Sequence, residues 1–306
     1  MARCHVLLTG GNGFIAFYIG KALLESKFLV TVTVLRSRPF RYVIHAATPY
    51  HFDIVDPVAD FIDPAVKGTL GILQSVIDVC PSVRRFVLLS SSATILNPSR
   101  HSKVYDETVF GTTTPEEAVS PKLCYRAAKI YAERAAFDFV EKHKPAFDLV
   151  VLNPPLVFGP AAPHLDSLQN LNTSNQRIRD MLQGKFRDML APTGPVYLFC
   201  DVRDVAAAHV RALSTPGAGG QRFLVVSGYF SNKRIADLIR RLYPGMASQM
   251  PPIDVADDMP HDVYGFDNTK SYKILGMEYR DLETCVGDSV RSFLEVGQRT
   301  SAGRNS

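Results

Sequence analysis

Tyr125 and Lys129 are the first two side chains of the sequence whose spacing suggests chemistry. They lie in residues 120–140, SPKLCYRAAKIYAERAAFDFV, where Ser120 is a favourable N-cap and Pro121 a favourable first helical residue. In the helix that this segment predicts, residues four apart lie one turn apart on the same side. A lysine ammonium in that place favours the phenolate and lowers the tyrosine pKa from about 10. The pair could then donate a proton to a carbonyl oxygen.

The elements that must position this pair begin with a glycine-rich turn. A strand predicted over His5–Thr9 runs into the sequence GGNGFIA, and a helix is predicted over Phe17–Ser26. Gly10 permits a tight turn, and Gly13 lets the backbone approach a pyrophosphate, which would lie at the helix N-terminus. Strand, glycine turn and helix in this order indicate dinucleotide binding, with an ordinary strand-to-helix turn as the alternative.

The second strand carries a possible cofactor signal at its end. It is predicted over Phe28–Leu35 from its β-branched residues, and Arg36 follows directly. In a dinucleotide fold the residue at this position contacts the adenine ribose. An acid suits the 2′-hydroxyl of NAD, whereas an arginine suits the 2′-phosphate of NADP. Arg36 therefore favours NADP(H), and a solvated basic loop is the alternative.

Strands and helices continue to alternate along the first half of the chain. Further strands are predicted over Arg41–Ala47, Arg85–Ser92 and Asp148–Leu152, with an amphipathic helix over Pro64–Cys80. This alternation predicts an α/β fold with a doubly wound parallel sheet of the Rossmann type. Hydroxyl groups at the end of the Arg85–Ser92 strand would face the ligand crevice, because the carboxyl ends of parallel strands border it.

The chain is expected to divide into a nucleotide-binding domain and a smaller C-terminal lobe. Residues 1–155 are expected to form the nucleotide-binding domain, and residues 195–227 return to it. Residues 159–175 show no clear helix or strand periodicity, and residues 156–194 and 228–296 are expected to form a substrate-binding lobe. The polar residues 297–306 are expected to be a flexible tail.

Composition excludes several classes of protein. The net charge is +4 with no long run of one sign, which argues against nucleic acid as a partner. No stretch of about 18 apolar residues could span a membrane, and the first apolar run is too short for a signal peptide. Five scattered cysteines without a C-x-x-C pair argue against a disulfide framework and against a metal site. They fit a reducing compartment, so a cytoplasmic location is expected.

Seven motifs taken together resemble the extended short-chain dehydrogenase/reductase family. The branch most similar to this chain is that of the NADPH-dependent carbonyl reductases related to dihydroflavonol 4-reductase, methylglyoxal reductase and cinnamoyl-CoA reductase. In chain order the motifs are TGGNGFIA (9–16), LRS (35–37), HAATP (45–49), LLSSSA (88–93), YRAAK (125–129), NPPLVFGP (153–160) and DVRDVAAAHVRAL (201–213).

The resemblance implies a Ser-Tyr-Lys site that reduces an aldehyde or ketone to an alcohol. Tyr125 would donate the proton, Lys129 would tune it and grip the nicotinamide ribose, and Ser92 would hydrogen-bond the carbonyl oxygen. Ser91 is the alternative to Ser92. The residues implied to hold NADP(H) are Gly10, Gly13, Phe14, Ile15, Arg36, Ala47, Thr48, Lys129, Pro154 and Leu156.

One part of the family pattern is missing after Ser37. The family has a helix and an outer strand there, about forty residues, and parallel strands need a crossover of at least about a dozen. Residues 37–41 reach about 17–18 Å when fully extended, which is less than the roughly 20 Å to be crossed. We therefore expect a shortened second strand or a changed strand order at this edge. We also expect weakened NADPH binding, because the missing segment carries part of the family's adenine pocket.

Two other functions stay open beside a reductase of a small carbonyl compound. One is a catalytically weak or silent relative that binds a small molecule or a partner. The other is a sugar-nucleotide epimerase or dehydratase of the same superfamily. Arg36 speaks against the second, because an acid at that position would suit tightly held NAD.

Overall fold

The computed structural model describes residues 4–32, 39–47 and 55–302. The strands are β1 (His5–Thr9), β2 (Leu29–Val32), β3 (Tyr42–His45), β4 (Arg85–Leu89), β5 (Val104–Tyr105), β6 (Asp148–Asn153), β7 (Leu156–Phe158), β8 (Leu198–Asp201), β9 (Arg222–Leu224), β10 (Gly228–Tyr229) and β11 (Gly265–Phe266). The helices are α1 (Phe14–Glu25), α2 (Asp63–Val79), α3 (Pro115–Ala118), α4 (Cys124–His143), α5 (Thr173–Leu182), α6 (Val202–Ser214), α7 (Asn232–Leu242), α8 (Thr269–Leu275) and α9 (Leu282–Ala302). Within this part of the chain, no helix is both long and apolar enough to cross a membrane.

A parallel sheet in the order β2-β1-β3-β4-β6-β9 organises the first half of the chain. Leu7 in β1 pairs with Thr31 on one side and with Val43 on the other. The direction of strand succession therefore reverses between β1 and β3. At such a switch point the following helices leave in opposite directions and open a crevice at the carboxyl ends. The predicted α/β fold with a parallel sheet is confirmed.

The central strands are continuous apolar runs because both faces of the sheet are covered. In β4, Phe86 and Val87 are fully buried, and the helices α2 and α4 pack together beside the sheet. Their shared core is an apolar cluster that includes Leu7, Phe40, Val43, Leu73, Val76, Phe86, Ala136, Phe139 and Val151. This packing fixes the position of α4, the helix that carries Tyr125 and Lys129.

The start of α4 differs from the sequence prediction. The carbonyl oxygen of Ser120 accepts the amide N–H groups of Leu123 at 3.0 Å and of Cys124 at 2.8 Å, so this residue belongs to a turn. Leu123 occupies the N-cap position. The expectation that Ser120 caps the helix and Pro121 opens it is wrong. A capping box between Thr114 and Glu117 starts α3 just ahead. At the end of α3, the carbonyl oxygen of Glu117 accepts a hydrogen bond from the Ser120 amide.

The strand β2 is the outermost strand of the sheet among the described residues. Four residues, Leu29–Val32, are described where eight were predicted over Phe28–Leu35. Residues 33–38, which include Arg36, lie outside the described part of the chain. On β2, Leu29 and Val32 are 45% and 46% exposed.

The chain divides into two compact units. The first comprises Met1–Pro154, Ala206–Val225 and Tyr264–Met277 and holds the parallel sheet with the short pair β5 and β11. The second comprises Pro155–Val205, Val226–Val263 and Glu278–Ser306 and holds the sheet β10-β8-β7. Its core is built around Phe158, Ile178, Phe199, Phe230, Ile239, Val290 and Phe293.

This division differs from the predicted ranges at two segments. Of residues 195–227, which the sequence assigns to the nucleotide-binding domain, Ala206–Val225 lie in the first unit with β9 in the parallel sheet, whereas β8 pairs with β7 in the second unit. Residues 264–277 were placed in the C-terminal lobe, yet they belong to the first unit, where β11 pairs with β5. Both differences come from long-range strand pairing, which the local pattern does not contain.

The strand β1 ends in a turn that only glycine fits. Gly10 has a φ of +73°, and a Cβ built there would lie 2.8 Å from the backbone nitrogen of Ala47. Gly13 closes the turn by donating its N–H to the carbonyl oxygen of Gly10 at 2.9 Å. The turn and the end of β3 are therefore in direct backbone contact.

We expect Gly10→Ala to lower the free energy of unfolding by at least about 1 kcal/mol, because it adds left-handed strain to a backbone clash. The matched control is Gly68→Ala on the exposed face of α2, where a Cβ meets nothing within 4 Å. The control should raise stability by about 0.5–1 kcal/mol. Chemical denaturation of both variants measures the difference. Equal stability of Gly10→Ala and wild type would contradict the turn geometry.

Candidate active site

The glycine turn presents the N-terminus of α1 at the switch point of the sheet. Gly13 is the N-cap of α1, no side chain of the described residues caps it, and the first turn carries no acidic residue. The first N–H groups of a helix that starts in this way, together with its dipole, favour an anion. Phe14 and Ile15 open the helix and are half-buried, and the ring of Phe14 meets Tyr18 edge-on at 5.7 Å.

Ala47 lies on the opposite side of the same crevice. It is exposed, and its backbone nitrogen lies 3.4 Å from the side-chain oxygen of Thr9. The structure therefore brings together Gly10, Gly13 and Ala47, three of the residues predicted to bind the cofactor. Two others, Arg36 and Thr48, lie outside the described residues, so their role stays a prediction.

His45, the last residue of β3, is buried beneath this crevice. Its Nδ1 lies 2.8 Å from the hydroxyl oxygen of Thr9. Burial, with a smaller contribution from the charge of Lys129, lowers the pKa of His45 from 6.5 to about 4. A buried histidine avoids the cost of an ion in the protein interior by staying neutral. His45 is thus an uncharged neighbour of Lys129 at neutral pH.

Tyr125 and Lys129 lie in the first two turns of α4. The ring of Tyr125 is half-buried and meets Phe61 edge-on at 6.4 Å. Lys129 is 7% exposed, and burial lowers its pKa from 10.5 to about 8 against the opposing charge of Glu133. At pH 7 the side chain of Lys129 is therefore still mostly an ammonium, although it lies inside the protein.

The three serines after β4 have three different surroundings. The hydroxyl of Ser90 donates to Glu133, and the hydroxyl oxygen of Ser91 accepts the Ala93 N–H at 3.1 Å as a helix cap. Ser92 is 4% exposed, and its hydroxyl makes no hydrogen bond with the part of the chain that the structure describes. Of the three, Ser92 is the one whose hydroxyl is not already engaged.

The Ser92 turn is fixed from two sides. The helix α4 packs against the turn Ser92–Thr94, and the Ser92 amide donates to the carbonyl oxygen of Pro154 at 2.9 Å. The structure thereby brings Ser92, Pro154 and the helix of Tyr125 together in the first unit. Leu156, two residues further along, lies in β7 and packs into the core of the second unit.

A buried ionic network behind Lys129 was not predicted from the sequence. Glu133 accepts hydrogen bonds from Arg222 at 2.5 Å and from Asn153 at 2.9 Å, and its carboxylate is fully buried. Arg222 also donates to Thr94 at 3.0 Å, and its guanidinium stacks over the ring of Phe110. A signal was present in the sequence, because Tyr125, Lys129 and Glu133 follow one another at steps of four.

The same part of the chain holds no candidate metal centre. Among the described residues, no group of three or more histidine, cysteine, aspartate or glutamate side chains could hold a metal ion. The cysteines described are Cys4, which is exposed, and Cys80, Cys124, Cys200 and Cys285, which are buried, and none is in a disulfide.

A comparison with protein families shows to which family the chain belongs. The profile of the NAD dependent epimerase/dehydratase family matches residues 6–226. The chain belongs to this family. The ketoreductase azaE of Aspergillus niger is 50% identical, with 95% of this chain and 97% of the relative covered. The NADPH-dependent methylglyoxal reductase GRE2 of Saccharomyces cerevisiae is 32% identical, with 86% and 79% covered.

Solved structures of family members have the same fold. The crystal structure of Gre2 from Candida albicans in complex with NADPH superposes with a TM-score of 0.88 at 28% identity, covering 96% of this chain and 99% of that chain. The alignment with azaE extends over 329 positions but includes only 95% of the 306 residues, so about 38 positions of it have no residue in this chain. That total is close to the size of the segment expected to be missing after Ser37.

His45 makes a testable contribution to acid stability. Its native pKa of about 4 lies below the ordinary value of 6.5, so between these pH values the unfolded chain binds a proton that the native protein does not. His45 therefore contributes about 3 kcal/mol to the free energy of unfolding above pH 6.5, and this contribution is lost as the pH falls towards 4.

We expect His45→Asn to weaken this pH dependence, since asparagine can keep the bond to Thr9 but does not titrate. Urea unfolding at intervals from pH 7 to pH 4 measures it. His261→Asn, at an exposed histidine, is the matched control and should follow the wild type. Parallel curves for His45→Asn and wild type would show that His45 takes up its proton equally in both states.

Proposed function

We propose that this chain is an NADPH-dependent reductase that converts the carbonyl group of an aldehyde or ketone into an alcohol. The observation that carries the proposal is the arrangement on α4. Tyr125 and the buried Lys129 lie one turn apart, and the helix packs against the Ser92 turn at the carboxyl end of β4. The relatives named ketoreductase and NADPH-dependent methylglyoxal reductase support the same reaction class.

The residues around the switch point fit NADPH. The turn at Gly10 has no room for a Cβ, and the N-terminus of α1 is not capped by a side chain of the described residues, so backbone N–H groups can face a pyrophosphate. Gly10, Gly13, Phe14 and Ile15 would hold the pyrophosphate, and Ala47 the ribose. The further ligands in the proposal are Lys129 for the nicotinamide ribose, Pro154 and Leu156 for the nicotinamide, Arg36 for the 2′-phosphate and Thr48 for the ribose.

The mechanism divides the reduction between hydride and proton. NADPH, when bound, supplies the hydride that adds to the carbonyl carbon. The Ser92 hydroxyl donates a hydrogen bond to the carbonyl oxygen, which gains negative charge as the carbon–oxygen π bond breaks. Tyr125 gives its phenolic proton to that oxygen and completes the alcohol. The Lys129 ammonium, one turn away, stabilises the negative charge left on the phenol oxygen.

The proposed substrate is a small carbonyl compound, and the proposed setting is a reducing cytoplasm. The second proposal still rests on the cysteines. Four of the described cysteines are buried and unpaired, as expected for thiols that serve as small apolar core residues.

Tyr125→Phe tests the assigned proton donor. It keeps the ring that packs against Phe61 but removes the phenolic proton, so turnover should fall by about 10²–10⁴-fold while NADPH binding is retained. Tyr131→Phe, also half-buried on α4, is the matched control and should keep wild-type turnover. NADPH oxidation with a panel of aldehydes and ketones measures turnover, and nucleotide fluorescence measures binding. Wild-type turnover in Tyr125→Phe would refute the assignment.

The missing segment leads to a second prediction. Grafting the corresponding azaE residues between Ser37 and Arg41 should lower the Kd for NADPH, because the graft restores part of the family's adenine pocket. Fluorescence titration measures the Kd, and a glycine–serine insertion of equal length is the control. An unchanged Kd in the graft would show that this chain binds the adenine half without that segment. Absence of NADPH binding in both proteins would favour a silent relative.

A further inference from the structure

Lys129 and Glu133 border one small cavity beneath the candidate active site. Its volume is about 10 Å³, room for about one water molecule. It is lined by Thr69, Leu88, Leu89, Ser90, Lys129, Ala132 and Glu133. The ammonium and the carboxylate thus share a compartment with two hydroxyl groups and otherwise apolar walls.

Glu133 is held in place by groups from three strands or strand ends. Arg222 on β9 pairs with one carboxylate oxygen at 2.5 Å, while Asn153 on β6 and Ser90 after β4 donate to the other. The Glu133 side chain is fully buried and that of Arg222 is 10% exposed. A guanidinium remains charged in proteins, so the buried carboxylate has a permanent cation as its direct partner.

Titratable groups near Lys129 come from α4 itself and from β3. On α4 the neighbour is Glu133, and Tyr125 lies one turn before. From β3 comes His45, which is neutral near pH 7 because burial lowers its pKa to about 4.

The other described residues that border the cavity with Lys129 and Glu133 carry no charge. From α2 and β4 come the uncharged hydroxyls of Thr69 and Ser90. Asp60, on the π-helical turn Val58–Ile62 that packs against α4, acts on Cys124 at the start of the helix. Glu133 is therefore the anion, among the described residues, that borders the cavity together with the ammonium.

We propose that Glu133, paired with Arg222, is a positioning residue that keeps the Lys129 ammonium protonated and oriented during catalysis. The proposal deepens the proposed reductase function and rests on it for its catalytic meaning. The physical reason is that a buried ammonium without a nearby anion tends to lose its proton. A neutral Lys129 could no longer stabilise the charge that the departing proton leaves on Tyr125.

The alternative is that Glu133 and Arg222 only tie α4 to the sheet. The pair Asp204–Arg280 offers a comparison, because Asp204 is also almost fully buried and accepts the backbone N–H of Arg280 at 2.8 Å, while the Arg280 side chain is 40% exposed. Loss of either carboxylate removes an ion pair whose acidic partner is buried. According to the proposal, only the loss of Glu133 changes the protonation of Lys129.

The experiment follows Lys129 by NMR of protein labelled with ¹³C-lysine, the signal being assigned through its loss in Lys129→Arg. The wild-type signal should titrate near pH 8. In Glu133→Gln it should titrate lower by roughly one pH unit or more, as expected when a neighbouring opposite charge is removed. Glu133→Asp, which keeps the charge, should restore most of the difference, and Asp204→Asn should titrate as wild type.

Kinetics supply the second readout. In Glu133→Gln the alkaline limb of the kcat/KM profile should move to lower pH, because Lys129 loses its proton earlier. Should Glu133→Gln not fold, Arg222→Gln gives a second test, since it removes the ion pair that holds the Glu133 carboxylate in place.

An unmoved Lys129 titration in a folded Glu133→Gln or Arg222→Gln protein would overturn the proposal, and so would an equal shift in Asp204→Asn. This proposal and the proposed function can fail independently of each other. Wild-type turnover in Tyr125→Phe refutes the reductase mechanism, whereas the NMR titration reports on Glu133 and Lys129 without any turnover.

Discussion

The parallel pairing of β1 with β3 is the constraint on which the candidate site depends. The register places Thr9 opposite His45, so both strands end together and the chain leaves β1 through Gly10 against the backbone of Ala47. A side chain at residue 10 would push the two strand ends apart. The same register buries His45 beside the Thr9 hydroxyl and leaves it neutral. The turn proposed to hold the cofactor is thus fixed by this pair of strand ends.

A second constraint acts from behind the helix α4. Glu133 links this helix to Arg222 on β9 and to Asn153 on β6, while Arg222 also donates to the carbonyl oxygens of Glu107 and Val109. Polar networks in a low-dielectric interior are strong when satisfied and costly when one member is lost. The helix that carries the proposed proton donor is therefore tied to the sheet by hydrogen bonds as well as by apolar packing.

The fold class was predictable because its signals are local. A strand, a glycine turn and a helix lie within the first 26 residues, and the later strands keep a regular alternation with helices. The prediction of a Ser120 cap was wrong, because Ser120 lies in a turn in which its amide donates to Glu117 at the end of α3 and its carbonyl oxygen accepts from Leu123 and Cys124. The exchange of segments between the two units was not predictable, since β8 and β9 are both short apolar strands whose partners depend on tertiary packing.

The motifs of the candidate site were predictable from the sequence, but the buried ion pair behind them was not. Tyr125, Lys129 and Ser92 stand in recognisable strings, whereas Arg222 reaches Glu133 across 89 positions of the chain. A carboxylate one turn after a lysine on a helix is ordinarily a solvated i,i+4 pair. Here both side chains are buried, so the charge of Glu133 acts on the Lys129 ammonium with little screening by solvent.

The exposed strand β2 has a consequence for how the protein behaves at high concentration. Within the described residues no strand pairs with its outer side, and it presents the apolar side chains of Leu29 and Val32 to solvent. An edge of this kind carries unpaired N–H and C=O groups, which are a template for hydrogen bonding to a strand of another molecule. We therefore expect this edge to favour association between molecules as the protein concentration rises.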